Sequence, residues 1–156
     1  MPIPEKRPVS TLNCLYKGVD RMTKDVVITI VGSQSEGEIE LTTVGNYYNK
    51  DDKHYVFYEE TPDASSIPIK NKLIFDDKSF EMTKKGSVTS TMIFDTEKIT
   101  QSTYQTPFGP IAMEVVTNAY ELKEAEELME MDIDYSLGLN SLETTPCHVY
   151  VKLEAK

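Results

Sequence analysis

The run Asp25-Val-Val-Ile-Thr-Ile-Val-Gly32, then Ser33-Gln-Ser-Glu-Gly37 and Glu38-Ile-Glu-Leu-Thr-Thr-Val44, reads as two strands joined by a polar turn. The first run is β-branched from Val26 to Val31 and stops at a glycine, which favours extended backbone and then breaks it. In the second, Ile39, Leu41 and Thr43 alternate with Glu40, Thr42 and Val44. That period of two puts one face of a strand on a core and the other in water.

The same grammar continues along the chain. Asn49-Lys-Asp-Asp-Lys53 is a polar turn before His54–Tyr58, and Pro/Asp/Ser-rich residues separate that run from Ile69–Phe75. Asp76-Asp77 leads into Ser79–Lys85, Gly86 into Val88–Phe94, and Asp95-Thr-Glu97 into Lys98–Thr106. Further runs begin at Ile111 and cover Asp132–Leu139 and Val149–Leu153. About ten short strands with regular turn signals predict an all-β fold, a meander closed into an antiparallel barrel or else a sandwich. Closure is expected because an open sheet would leave long edges bare. No Gly-rich phosphate loop or βαβ spacing points to an α/β fold. The stretch Tyr120–Met131 is rich in strong helix formers, with Leu122, Ala125 and Met129 at helical spacing. A short helical turn near 120–130, centred on 123–128, is therefore expected within the barrel.

With 156 residues, the chain has the length of one domain. Its apolar share of 39% and charged share of 27% are those of a folded globular protein. Residues 1–24, with three prolines in the first eight, are expected to be an appendage, with the barrel over 25–156. The net charge is −10, yet residues 1–24 hold five basic and two acidic groups, so the acidity belongs to the rest. A scattered basic tail on an acidic body predicts no nucleic-acid binding and no attraction to anionic membranes. No run approaches the roughly 18 apolar residues of a membrane span, and no apolar stretch follows the basic N-terminus, so the expected location is the cytoplasm. Cys14 and Cys147 form no metal or redox spacing and are expected to stay as free thiols.

From Asp25 to Glu154 the chain resembles the YwiB-like family of uncharacterised bacterial proteins. The features that carry the resemblance are Asp25-Val-Val-Ile-Thr-Ile with Gly32-Ser-Gln34, then Glu40 to Tyr48 with its Tyr47-Tyr48 pair. They continue with Tyr55-x-x-Tyr58-Glu-Glu60, Lys84-Lys-Gly86, Tyr104-x-Thr-Pro-Phe-Gly109 and Ile133-Asp-Tyr-Ser-Leu137. The resemblance implies a closed antiparallel up-and-down β-barrel of about 8–10 strands, calycin- or lipocalin-like, and no particular activity. Lys84 stands where the family usually has arginine, and residues 1–24 extend beyond the usual start.

A barrel of this size holds either its own side chains or one small ligand. Strand parity gives Ile28, Ile30, Ile39, Leu41, Phe94, Ile133, Leu137, Val149 and Val151 as inward residues, and within that set Tyr55, Phe57, Met92, Tyr104 and Tyr135 as candidate ligand contacts. Tyrosine supplies apolar area with a polar handle, so a small apolar or aromatic ligand is the expected partner. The alternative is a filled barrel that acts as an interaction module or homodimer. The chain has no tryptophan, hence no lipocalin Gly-x-Trp, and its two arginines, Arg7 and Arg21, lie in the tail. No catalytic residue, metal site or cofactor is expected. His54 and His148 fall on polar alternations that predict surface positions, and Cys147 beside His148 points to the opposite strand face. The acid pairs Asp51-Asp52, Glu59-Glu60, Asp76-Asp77 and Asp132/Asp134 read as solvated carboxylates. Thr106-Pro-Phe-Gly-Pro110 reads as a tight corner, or as a rim framing the mouth.

Overall fold

The protein was analysed as a computed structural model, which describes residues 24–34, 37–61, 67–140 and 143–156. The expectations for Cys14 and for residues 1–23 lie outside the described residues. Ten strands follow one another: β1 (Lys24–Gln34), β2 (Gly37–Lys50), β3 (Lys53–Glu60), β4 (Ile69–Phe75) and β5 (Ser79–Lys85). The second half comprises β6 (Thr89–Asp95), β7 (Thr100–Thr106), β8 (Gly109–Ala125), β9 (Leu128–Leu139) and β10 (Thr145–Ala155). Each strand pairs antiparallel with the next, and β10 pairs with β1, so the sheet closes into an up-and-down barrel. Closure removes the edges that the alternating strands would otherwise expose.

Antiparallel alternation sorts the connections to two ends. The β2–β3, β4–β5, β6–β7 and β8–β9 turns form the floor, where β1 begins and β10 ends. The β1–β2, β3–β4, β5–β6, β7–β8 and β9–β10 connections surround the other end, the mouth.

The floor half is packed solid. Ile28, Leu73, Phe75, Phe80, Phe94, Met131, Ile133, Val151 and Leu153 are at most 2% exposed and form one cluster. Aromatic rings run through it from strand to strand. Tyr47 stacks on His54, His54 on Phe75 and Phe75 on Phe80; Phe80 leans on Phe94, and Phe94 meets Tyr135 edge-on at 4.8 Å. Such contacts add about 0.5–1.5 kcal/mol per pair beyond area burial. At Gly45 in β2 the backbone passes so close to β3 that a Cβ would overlap the Phe57 carbonyl oxygen and lie 2.7 Å from Ile28 Cδ1. Only glycine fits there.

The expected helical turn near 120–130 is absent. The β8–β9 ladder runs unbroken from Ala119↔Asp134 to Ala125↔Leu128, and Glu126-Glu127 makes a tight turn with Glu127 at φ +64°. A bulge between Thr117 and Ala119 switches strand parity. Met113, Val115 and Thr117 are buried before it, whereas Tyr120 and Leu122 pack on the core after it. Ladder hydrogen bonds and two partly buried side chains outweigh helix propensity, which differs by only tenths of a kcal/mol per residue.

Candidate functional site: the barrel mouth

Above the packed floor, the inward positions change character. Ile30, Leu41, Met92, Tyr135 and Leu137 rest on the core but remain half-buried, and Tyr104 on β7 is half-buried at the rim. On one wall three adjacent strands turn polar side chains inward. Lys84 on β5 donates to Glu60 Oε1 on β3 at 2.6 Å and to Asn71 Oδ1 on β4 at 3.1 Å. Asn71 Nδ2 closes the group by donating to Glu60 Oε1 at 2.9 Å. Register explains the convergence: Tyr58, Asn71, Lys84 and Ser90 lie side by side on β3 to β6, with Glu60 two residues beyond Tyr58 on the same face. Asn71 is 2% exposed, and the Lys84 and Glu60 side chains are 30% and 27% exposed. The ion pair is thus partly desolvated, and its hydrogen bonds through Asn71 are what make burial tolerable. Burial, then the nearby Glu60 charge, holds the Tyr58 phenol well above its ordinary value. Desolvation likewise raises the Tyr135 phenol and the Cys147 thiol, keeping both protonated and unreactive. Cys147 is a free, buried thiol.

A second polar constellation closes the floor. Tyr47 Oη lies 2.8 Å from His54 Nδ1, and His54 Nε2 lies 3.0 Å from Glu124 Oε1. Asn49 Nδ2 is 3.3 Å from the same Nδ1. His54 is 8% exposed and stacked on Phe75 at 4.9 Å, so it is buried, not on the surface as its place in a polar alternation predicts. Among the described residues no group of three or more His, Cys, Asp or Glu is placed to hold a metal ion.

The five candidate ligand contacts separate. Met92 and Tyr135 share the interior, and Tyr104 lies at the rim. Tyr55 and Phe57 are on the outer face instead. On β3 the buried positions are His54, Val56 and Tyr58, while Phe57 is 36% exposed. Tyr55 and Phe57 stack on Tyr48 of β2, at 4.9 and 5.9 Å. Ile39, also expected inside, is 79% exposed at the rim. His148 points outward beside Asp132 and Asp134.

Residues 25–150 match the family described as a domain of unknown function, DUF1934. The chain belongs to the DUF1934 family. No curated protein matches it. Among solved structures it is similar to the YwiB protein of Bacillus subtilis, with a TM-score of 0.73 at 19% identity. The likeness covers 90% of this chain and 98% of that one. At that identity the match speaks for the barrel alone. In this DUF1934 barrel, Lys84, which the resemblance marks as a departure from arginine, is the cation of the mouth group.

Neither the mouth group nor the floor histidine stands out in the sequence. In His54-Tyr-Val-Phe-Tyr58 every second residue is apolar or aromatic on both parities, so periodicity does not decide which face is inside. The usable signal was further along: Glu59-Glu60 is a pair in which only one acid can point outward.

Proposed function

We propose that the mouth half of the barrel binds a small, largely apolar molecule with one neutral hydrogen-bonding end. The observation that carries this is the Glu60–Asn71–Lys84 group, turned into the barrel above a sealed apolar floor. A purely structural interior would place more hydrocarbon there, since replacing a buried ion pair by packed apolar residues is often neutral or stabilising. Glu60 already balances the Lys84 charge, so a hydroxyl, amide or carbonyl fits better than a free carboxylate. Ile30, Leu41, Met92 and Leu137 supply the apolar walls.

The test is titration with the neutral fluorophore N-phenyl-1-naphthylamine, alongside native mass spectrometry of the freshly purified protein. Saturable enhancement is expected, and Leu137→Trp, which fills the mouth, should abolish it while the variant still melts cooperatively. Lack of enhancement together with a mass equal to the bare chain refutes the reading.

A second reading rests on a different observation. Ile39, Ile67 and Phe108, all near the mouth, are 79%, 77% and 99% exposed. Phe108 is held out by a fixed turn, its N–H donating to Thr106 Oγ1 and the Thr106 hydroxyl donating to the Gly109 carbonyl. Such a rim suits association of two mouths, burying apolar surface on both. Sedimentation of the wild type and of Phe108→Ser decides it: a dimer lost in the variant supports self-association, and a monomeric wild type refutes it.

A further inference from the structure

The outer face of β2 to β5 is richer in lysine than the β8–β10 side of this acidic barrel. Lys50, Lys53, Lys70, Lys72 and Lys85 all point outward there, as do Glu38, Glu40, Glu59 and Glu81. Among the described residues none of these five lysines forms an ion pair, although the Lys53 charge acts on Asp76. Two pairs are directly opposed across the ladder, Lys50↔Lys53 and Lys70↔Lys85. Like charges so placed destabilise a sheet, which gives no folding reason for the arrangement. Glu59 is directly opposite Lys70 and does not pair with it. Between the lysines stand the stacked rings of Tyr55, Tyr48 and Phe57, with Phe57 opposite Lys72. Among the described residues Tyr55 and Phe57 stack on no ring other than Tyr48.

We propose that this face binds single-stranded nucleic acid. The recognition chemistry of such chains is a cationic track for phosphates with aromatic rings beside it on which bases stack. From Lys53 to the row of Lys70 and Lys85 is about 20 Å at the rise of a strand, room for several nucleotides. An acidic peptide would meet the lysines but leave the ring stack unexplained. The net charge of −10 does not forbid the contact. Residues 109–155, the β8–β10 side, hold ten acidic groups against two lysines, and that side is diametrically opposite β3 and β4. Ten strands about 4.8 Å apart give a barrel at least about 15 Å across, beyond the roughly 10 Å screening length at 0.1 M salt.

The experiment is fluorescence anisotropy of a dye-labelled oligodeoxythymidine of about 15 nucleotides, titrated with the full chain at low salt. Saturable binding is expected. With about five phosphate contacts, affinity should fall roughly 100-fold between 50 and 200 mM salt. The double variant Lys70→Glu, Lys72→Glu should bind at least about 10-fold more weakly, and Tyr55→Ala about 10-fold. Lys123→Glu and Lys152→Glu, on the other side, should bind like the wild type. Circular dichroism melts confirm that each variant is folded. Lack of saturable binding overturns the proposal. So does equal binding of a poly-glutamate peptide, or loss through Lys70→Glu and Lys72→Glu with none through Tyr55→Ala, because either outcome reduces the face to a general anion or acidic-peptide site.

Discussion

Tyr47 and His54, seven residues apart on neighbouring strands, form the hydrogen bond that seals the barrel floor, with the phenol oxygen 2.8 Å from Nδ1. The ionised Glu124 carboxylate can only accept, so Nε2–H is the donor in that contact, and in the imidazole tautomer that carries its proton there Nδ1 accepts from the Tyr47 hydroxyl. Burial foremost, with the Glu124 charge acting in the same direction, holds the Tyr47 phenol far above its ordinary value and keeps that proton in place.

Replacing the imidazole removes an acceptor and a stacked ring together. His54→Ala should cost about 2–4 kcal/mol, combining a cavity against Phe75 with an orphaned phenol. Tyr47→Phe, which removes only the hydroxyl, should cost about 1 kcal/mol. Urea unfolding of both single variants and the double variant checks this. The effects should be non-additive, because after His54→Ala the Tyr47 hydroxyl has lost its acceptor. Additive costs would mean the bond contributes nothing.

The barrel was readable because its signals are local: the β-branched run from Val26 to Val31, the turn residues at Asp51-Asp52 and Asp76-Asp77, and the alternation at Ile39–Val44. The interior was harder. β3 carries large apolar groups on both faces, because Tyr55 and Phe57 build an outer stack with Tyr48. The pattern therefore named those rings as lining and hid His54. Likewise, helix propensity over Tyr120–Met131 is a local preference overridden by a ladder whose partners are distant in sequence only on the β9–β10 side. The mouth group combines residues from three strands, and no single window of sequence contains it.

Thr117 Oγ1 is the only buried side-chain polar atom among the described residues without a hydrogen-bond partner. It lies beside the β8 bulge, opposite Tyr135. An unsatisfied hydroxyl costs about 1–3 kcal/mol, and valine has nearly its shape. Thr117→Val should therefore stabilise the protein by about 1 kcal/mol, raising the urea midpoint with an unchanged slope. A lowered midpoint would show that the hydroxyl finds a partner in solution.

Strand β7 is the weakest stave. It has no buried residue and shares one backbone pair with β6, Thr89↔Gln105, whereas β7 and β8 pair at seven positions. The rest of that seam is made by hydroxyls: Thr100 Oγ1 donates to the Ile93 carbonyl and Ser102 Oγ to that of Thr91, at 2.9 and 2.8 Å. A depression of about 650 Å³ open to solvent lies alongside, lined by Gln101, Ser102, Met113 and Gly138 among others. Amide hydrogen exchange should therefore be fastest, within the strands, over residues 100–106, with β1 and β10 slowest. Ser102→Ala should accelerate β6 and β7 exchange and leave β1 unchanged. Equal protection of β7 and β1 would contradict this account.

Asp76 links the floor to pH. Burial pushes its carboxyl up, but hydrogen bonds from the Lys78 and Ser79 amides, with the charges of Lys53 and Lys78, bring it below its ordinary value. The folded chain thus binds this proton less tightly than the unfolded one. Its contribution is fully present above the unfolded value of about 3.9 and is lost as pH falls through the lower folded value. Asp76→Asn keeps an acceptor oxygen and removes the charge. Near neutral pH it should cost about 1 kcal/mol or less, since water screens a half-buried carboxylate, and the gap from wild type should close below about pH 3. Chemical unfolding of both proteins from pH 7 to pH 2.5 measures that gap. A difference that stays constant with pH would assign the role of Asp76 to its shape alone, and one that widens in acid would reverse the sign argued here.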